Sequence, residues 1–122
     1  MTVCMGRTLT IQNPSFEIIE QVIDSLIPIT NYFVILKPAE PIFNSLFIQT
    51  LMEANEAGET RYLVEISFMY SNERKFFRRY IDNADELKEI FCLYSIEKIP
   101  DITDWTDVTA DIMTQITNKK ME

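Results

Sequence analysis

The sequence predicts an α+β domain: a mostly antiparallel sheet, in the order strand-helix-strand and then a three-strand meander, with helices packed on one face. Three observations carry this. Tyr62, Val64, Ile66, Phe68 and Tyr70 alternate with Leu63, Glu65, Ser67 and Met69, a period of two that fits a half-buried pleated surface. Ser71-Asn72-Glu73 interrupts the run and Arg74 to Ile81 resumes it, so two long strands meet at a tight turn. Elsewhere Ile19, Val22, Ile23 and Leu26, and later Leu87, Ile90, Phe91 and Tyr94, recur at helical spacing.

Taken in order, Arg7 to Gln12 alternates and reads as a short edge strand. Asn13 suits a helix cap and Pro14 the first turn, where a missing N–H costs nothing. That helix runs to about Leu26, with Phe16 and Ile27 extending its apolar stripe, Glu17 and Glu20 near its positive end, and Pro28 stopping it. Asn31 to Lys37 contains Tyr32-Phe33-Val34-Ile35-Leu36, whose length and β-branching favour a strand buried on both faces. Pro38 and Pro41 bracket a rigid turn. Ser45 to Met52 reads as a strand, with helix the competing reading because Leu, Met, Glu and Ala follow. Asn55-Glu56-Ala57-Gly58 is a turn signal, which makes that strand and the Tyr62 strand a hairpin.

Asn83 begins a second helix, with Glu86 placed as in a capping box. Its pattern fades between Ser95 and Lys98, and Pro100 lies beyond. Asp101 to Val108 is a loop or short irregular element. A short helix follows from about Thr109 to Thr117 with Ile112 and Ile116 inward. The 122 residues suit a single domain, with 1–6 and 118–122 expected to fray.

Composition limits the function classes. A hydrophobic fraction of 47% and a charged fraction of 25% are those of an ordinary globular protein. No apolar run approaches the roughly 18 residues of a membrane span. Residues 1–7 lack the apolar core of a signal peptide, so a soluble cytoplasmic protein is expected. Cys4 and Cys92 have neither disulfide-framework nor zinc spacing and read as structural thiols, Cys92 inside a helical apolar pattern. There is no histidine, which removes the usual neutral-pH base and most zinc sites. Two glycines cannot build a phosphate loop or a dinucleotide fingerprint. Asp101, Asp104 and Asp107 recur every three residues without the spacing of a calcium loop. No catalytic residue, metal or cofactor is expected.

The formal net charge of −8 repels the phosphates of nucleic acids and anionic membranes, and attracts a basic partner. Acidity also serves plain solubility. Arg74, Lys75, Arg78 and Arg79, beside Phe76, Phe77 and Tyr80, can be read as a phosphate or RNA contact. The favoured reading is edge-strand charges or cross-strand partners for Glu65 and other acids. Two stretches are acidic throughout: Pro38 to Thr60, with Glu40, Glu53, Glu56 and Glu59, and Ile99 to Asn118, with Asp101, Asp104, Asp107 and Asp111. The second also holds Trp105, the only tryptophan. It is a candidate interface anchor, although folding back to cap the core is the favoured reading.

Three pieces carry a family resemblance. They are Asn13-Pro14-Ser15 with the helix Ile18, Ile19, Val22, Ile23 and Leu26; Tyr32 to Leu36 with the proline turn and Leu46-Phe47-Ile48-Gln49; and Asp104-Trp105-Thr106-Asp107-Val108. Together, over roughly residues 9 to 110, they resemble immunity protein family one of bacterial polymorphic-toxin systems and its contact-dependent-inhibition relatives. Where that family's late motif offers Glu after Trp, this chain has Thr106 before Asp107. The resemblance implies a small α+β protein that binds the C-terminal domain of a cognate toxin, a nuclease or deaminase, and blocks it by occlusion. The contact candidates are then Glu53, Glu56, Glu59, Asp101, Asp104, Trp105 and Asp107. Two rivals stand beside it. One is a structural or regulatory subunit that forms a homodimer through the Tyr32 strand or a meander edge. The other is a small-ligand binder using Phe68, Phe76, Phe77 and Tyr80, against which plain core packing is favoured.

Overall fold

The computed structural model describes residues 1–6, 9–28 and 33–121. The strands are β1 (Thr2–Met5), β2 (Leu9–Gln12), β3 (Phe33–Lys37), β4 (Ser45–Ala54), β5 (Thr60–Tyr70), β6 (Glu73–Ile81) and β7 (Thr106–Asp107). The helices are α1 (Phe16–Asp24), α2 (Ala84–Ser95) and α3 (Thr109–Met121). All seven strands form one antiparallel sheet in the order β2-β1-β3-β4-β5-β6-β7. The α+β class therefore holds, with β1 and β7 added to the expected strands. Arg7, Thr8, Asn31 and Tyr32, the expected first residues of two strands, lie outside the described residues, as does Glu122.

The N-terminus corrects one expectation. Thr2–Met5 do not fray; they are inserted between β2 and β3, with Val3 only 1% exposed and facing Leu36 across the ladder. Four residues with a buried β-branched centre gain two sets of ladder bonds there, more than enough to hold a chain end. Helix α1 begins two residues later than the Asn-Pro signal suggests. Ser15 is the cap, its Oγ accepting the Ile18 N–H at 3.2 Å. Asn13 instead adopts φ 51° and takes the N-terminal ammonium on its Oδ1 at 3.2 Å. The helix ends at Asp24, where the Ser25 hydroxyl donates to the Val22 carbonyl at 2.6 Å, before Pro28 is reached. Ile19, Val22, Ile23 and Leu26 are buried as the stripe predicts, but Phe16 and Ile27 are 45% and 46% exposed.

Strand β3 is buried on one face only. Val34 and Leu36 are fully covered, whereas Phe33 and Ile35 on the opposite face are half-buried. Helices α1 and α2 touch one another and cover the first face alone. The expected hairpins are present. Asn55 to Gly58 closes β4–β5, with Gly58 at φ 82° and its N–H on the Asn55 carbonyl. Ser71 (φ 47°) and Asn72 (φ 72°) form the two-residue turn of β5–β6, both central residues left-handed as a hairpin turn requires.

Strand β5 is the middle of the molecule. Val64, Ile66 and Phe68 join the helix-covered core with Ile48, Leu87, Phe91 and Tyr94. Leu63, Glu65 and Ser67 point the other way and are buried too, where half-burial was expected. Their cross-strand neighbours Leu51, Tyr80, Gln49, Arg78, Phe47 and Phe76 explain this: long side chains on β4 and β6 lean over the shorter ones between them.

Asn83 caps α2, its Oδ1 accepting the N–H groups of Asp85 at 2.7 Å and Glu86 at 3.4 Å. Glu86 turns toward β6 and pairs with Arg79 at 2.6 Å. After α2 the chain crosses back to β6. Helix α3 continues to Met121, beyond the expected Thr117 and through residues expected to fray. Thr109 ties it to the sheet: its Oγ1 accepts the Phe76 N–H at 2.9 Å.

Candidate partner-binding surface

The acids singled out in the sequence fall into two places. Glu53, Glu56 and Glu59 sit at the β4–β5 hairpin end. There Glu53, Glu59, Asp82 and Arg61 line an open cavity of about 390 Å³. Asp82 was not foreseen; it follows Ile81, which pairs with Tyr62, so the end of β6 is carried to the same place. Glu53 is engaged by Arg61 at 3.3 Å, and the Arg61 guanidinium lies 3.7 Å from the Tyr80 ring centroid. Glu56, Glu59 and Asp82 are exposed and in no ion pair among the described residues.

Asp101, Asp104 and Asp107 lie elsewhere, on the segment between α2 and α3. Asp107 stands opposite Phe77 on the outer edge of β6. The neighbouring residues Ile99 and Ile102 reach Phe68 and Tyr70, at the far end of β5 from the Glu53 cluster. Ten residue steps along β5 separate those ends by roughly 33 Å. The acids do not form a single patch.

Two of the three aspartates serve local structure. Asp101 Oδ1 accepts both the Thr103 hydroxyl and, at 3.0 Å, the Thr103 N–H, which hold its carboxyl below the usual range. Asp107 is lowered in the same way by the Thr109 hydroxyl and then the Thr109 N–H at 2.9 Å, at the first turn of α3. Asp104 is exposed, with no ion pair among the described residues. The anchor role of Trp105 is corrected: the ring is 7% exposed and part of the core, capping it as the favoured reading held. Burying the large apolar area of an indole ring is more favourable than leaving it in water.

The sheet face opposite α1 and α2 carries Arg74 and Arg78. Glu65 pairs with Arg78 at 3.4 Å, settling the cross-strand partner that the sequence left open. Arg74 Nη2 donates to Ser67 Oγ at 3.2 Å, and its guanidinium lies 4.8 Å from the Phe76 ring centroid. Two of the four cations of the 74–79 run are thus occupied on this face, and Arg79 is occupied on the other by Glu86. Among the described residues no three Asp, Glu or Cys gather closely enough to hold a metal ion. Cys92 is buried, and burial pushes its thiol up, with the charge of Glu20 adding to the shift. Among the described residues no helix is long and apolar enough to cross a membrane. Comparison of the chain with family models, with curated proteins and with solved structures gave no match.

Proposed function

We propose that this protein is a non-catalytic inhibitor that binds and neutralises the basic domain of a cognate bacterial toxin, as the immunity proteins it resembles do. The observation that carries the reading is uncompensated acid. In a chain of net charge −8, Glu56, Glu59, Asp82 and Asp104 are exposed and in no ion pair among the described residues. Charges left free in this way steer a basic partner and raise its association rate. A nuclease or deaminase domain offers such a basic groove, and occlusion requires no bond-making group on the inhibitor.

The test is association of the purified protein with the C-terminal domain of the protein that the adjacent upstream gene encodes, followed by stopped flow at several salt concentrations; an upstream product that has no basic domain, or that does not bind, overturns the proposal. Replacing Glu56, Glu59, Asp82 and Asp104 by Lys is expected to lower the association rate at least tenfold at low salt, because exposed charges act mainly on the encounter. The melting temperature should move little. An unchanged rate across the salt series would remove the electrostatic basis of the proposal. A competing reading, a homodimer, is favoured by the edge strand β2, where Leu9 is 40% exposed. A concentration-dependent dimer in sedimentation, abolished by Thr10→Pro, would support it.

A further inference from the structure

Glu65 is a buried group that the fold leaves poorly satisfied. It lies in the middle strand β5, 7% exposed, on the sheet face opposite α1 and α2. Its ion pair with Arg78, across the ladder on β6, is 3.4 Å long, beyond the length of a good charge-assisted hydrogen bond. Neither carboxylate oxygen accepts a hydrogen bond among the described residues, and Oε2 is fully buried. An ionised carboxylate offers about four acceptor sites, and leaving them empty inside a protein is costly.

Glu65 also lines a small cavity of about 140 Å³ on the β4 side of the same face. Phe33, Leu51 and Leu63 are its apolar walls, and Gln49, opposite Glu65 in the ladder, joins Glu65 at the polar end. The Gln49 side-chain amide makes no hydrogen bond among the described residues either. Of the residues that line the cavity Glu65 alone is charged; Arg78 meets it from β6, on the other side. The cavity therefore has apolar walls and, at one end, a carboxylate and an amide oxygen with nothing to accept. Free ligands fill cavities of roughly 300 Å³ or more, so this one suits a single side chain projecting from a larger body. Lysine matches it: the methylene stem lies on the apolar walls, the ammonium reaches the polar end, and the Phe33 ring attracts the cation. The arginine fork wants two free oxygens side by side, whereas Oε1 already faces Arg78. The soft terminal torsion of glutamate lets Oε2 turn toward an ammonium without moving the strand.

We propose that this cavity receives a lysine side chain of the basic partner protein, with its ammonium on Glu65 and Gln49. The proposal rests on the function argued above and names which face makes contact: the helix-free face of β3, β4 and β5. Position along the sheet agrees with this. Glu53 follows Leu51 by two residues on the same face of β4 and belongs to the cluster with Glu59 and Asp82. A basic domain drawn to those acids arrives roughly 7 Å from the cavity mouth.

The test uses two variants. Glu65→Gln keeps the shape and removes the charge; Leu51→Trp fills the cavity and leaves Glu65 and Arg78 in place. Isotope-labelled protein is titrated with n-butylammonium chloride, the free equivalent of a lysine side chain, with n-butanol as the uncharged control. Saturable shift changes are expected at Phe33, Gln49, Leu51 and Leu63 with the amine. They should be roughly tenfold weaker with the alcohol, since a charged donor gains more from a buried carboxylate, and lost in both variants. Against the C-terminal domain of the upstream-encoded protein, each variant should weaken binding at least about tenfold, as loss of a buried contact does. Amine shifts that map elsewhere, that persist in Leu51→Trp, or that the alcohol reproduces at equal strength overturn the proposal. If the amine maps to the cavity but the domain binds Leu51→Trp as tightly as the native chain, the occupant is a free amine; the lysine assignment falls and the inhibitor reading stands. If the domain does not bind the native chain, the inhibitor reading falls and takes the partner's lysine with it, whatever the amine does.

Discussion

Replacing Arg78 by Leu isolates a carboxylate inside the sheet. Glu65 has a side chain only 9% exposed, and its partner Arg78 is 26% exposed, in contact through one oxygen at 3.4 Å. Breaking a buried pair costs about 3–5 kcal/mol, because the remaining charge loses both water and its counter-ion. The partial exposure of Arg78 and its single contact lower the expectation to about 2–3 kcal/mol. Removing Glu65 instead leaves a guanidinium that can still reach water, and costs about 1 kcal/mol. The pair is itself poorly satisfied, since Glu65 Oε2 and Arg78 Nε have no hydrogen-bond partner among the described residues. Replacing both residues by Leu is therefore expected to leave stability within about 1 kcal/mol of the native protein. The four proteins form a double-mutant cycle with a coupling of at least about 2 kcal/mol, read from urea unfolding at constant m. For a chain of 122 residues each kcal/mol moves the thermal midpoint by about 4 °C, so Arg78→Leu alone should melt roughly 10 °C lower. If the two single replacements cost the same and add, the ion pair is not a coupled buried unit and the reasoning fails.

Three further outcomes follow from the same coordinates. Tyr94→Phe removes the hydroxyl that meets Ser45 Oγ at 2.9 Å and should cost about 1 kcal/mol. Burial raises the Tyr94 hydroxyl above its usual value of 10.0, against the lowering effect of Ser45, so the folded state keeps its proton longer than the unfolded chain. Stability from this group is complete below that value and lost as pH rises through the folded pKa, and a melting series in alkali should flatten in the variant. Thr109→Val leaves the Phe76 N–H without its 2.9 Å acceptor and should cost about 1–2 kcal/mol, seen first as faster amide exchange in α3 and β7. Asp101 and Asp107 are depressed by their threonines, so their contribution is present above the usual carboxylate range and disappears as pH falls through the folded values. Asp107→Asn should reduce the acid-side loss of stability, and an unaltered acid melting profile would contradict that assignment.

Much of the architecture was legible because the signals are local. The alternation in Tyr62 to Ile81, the Ser71-Asn72 turn, the stripe of α1 and the Asn83 cap each follow from residues a few positions apart. The misses have particular causes. Asn13 and Ser15 are both good caps, and the choice was made by the N-terminal ammonium occupying Asn13, twelve residues away. Strand β1 has no pattern long enough to announce itself; it exists because β2 and β3 flank it on both sides. Phe16 and Ile27 match the helical period yet stand in water, since the period says which way a residue points and not whether anything is there.

The amino-acid order alone determined the α+β class, the hairpins, the acidity and the lack of histidine, because backbone preference and formal charge belong to residues and their near neighbours. Tertiary structure decided which acids remain free, that Trp105 is inside and Phe43 outside, and which arginine answers Glu65. Those are matters of what lies opposite a side chain, and opposition is set by sheet register and by the return of distant segments, as when the chain after α2 comes back to β6.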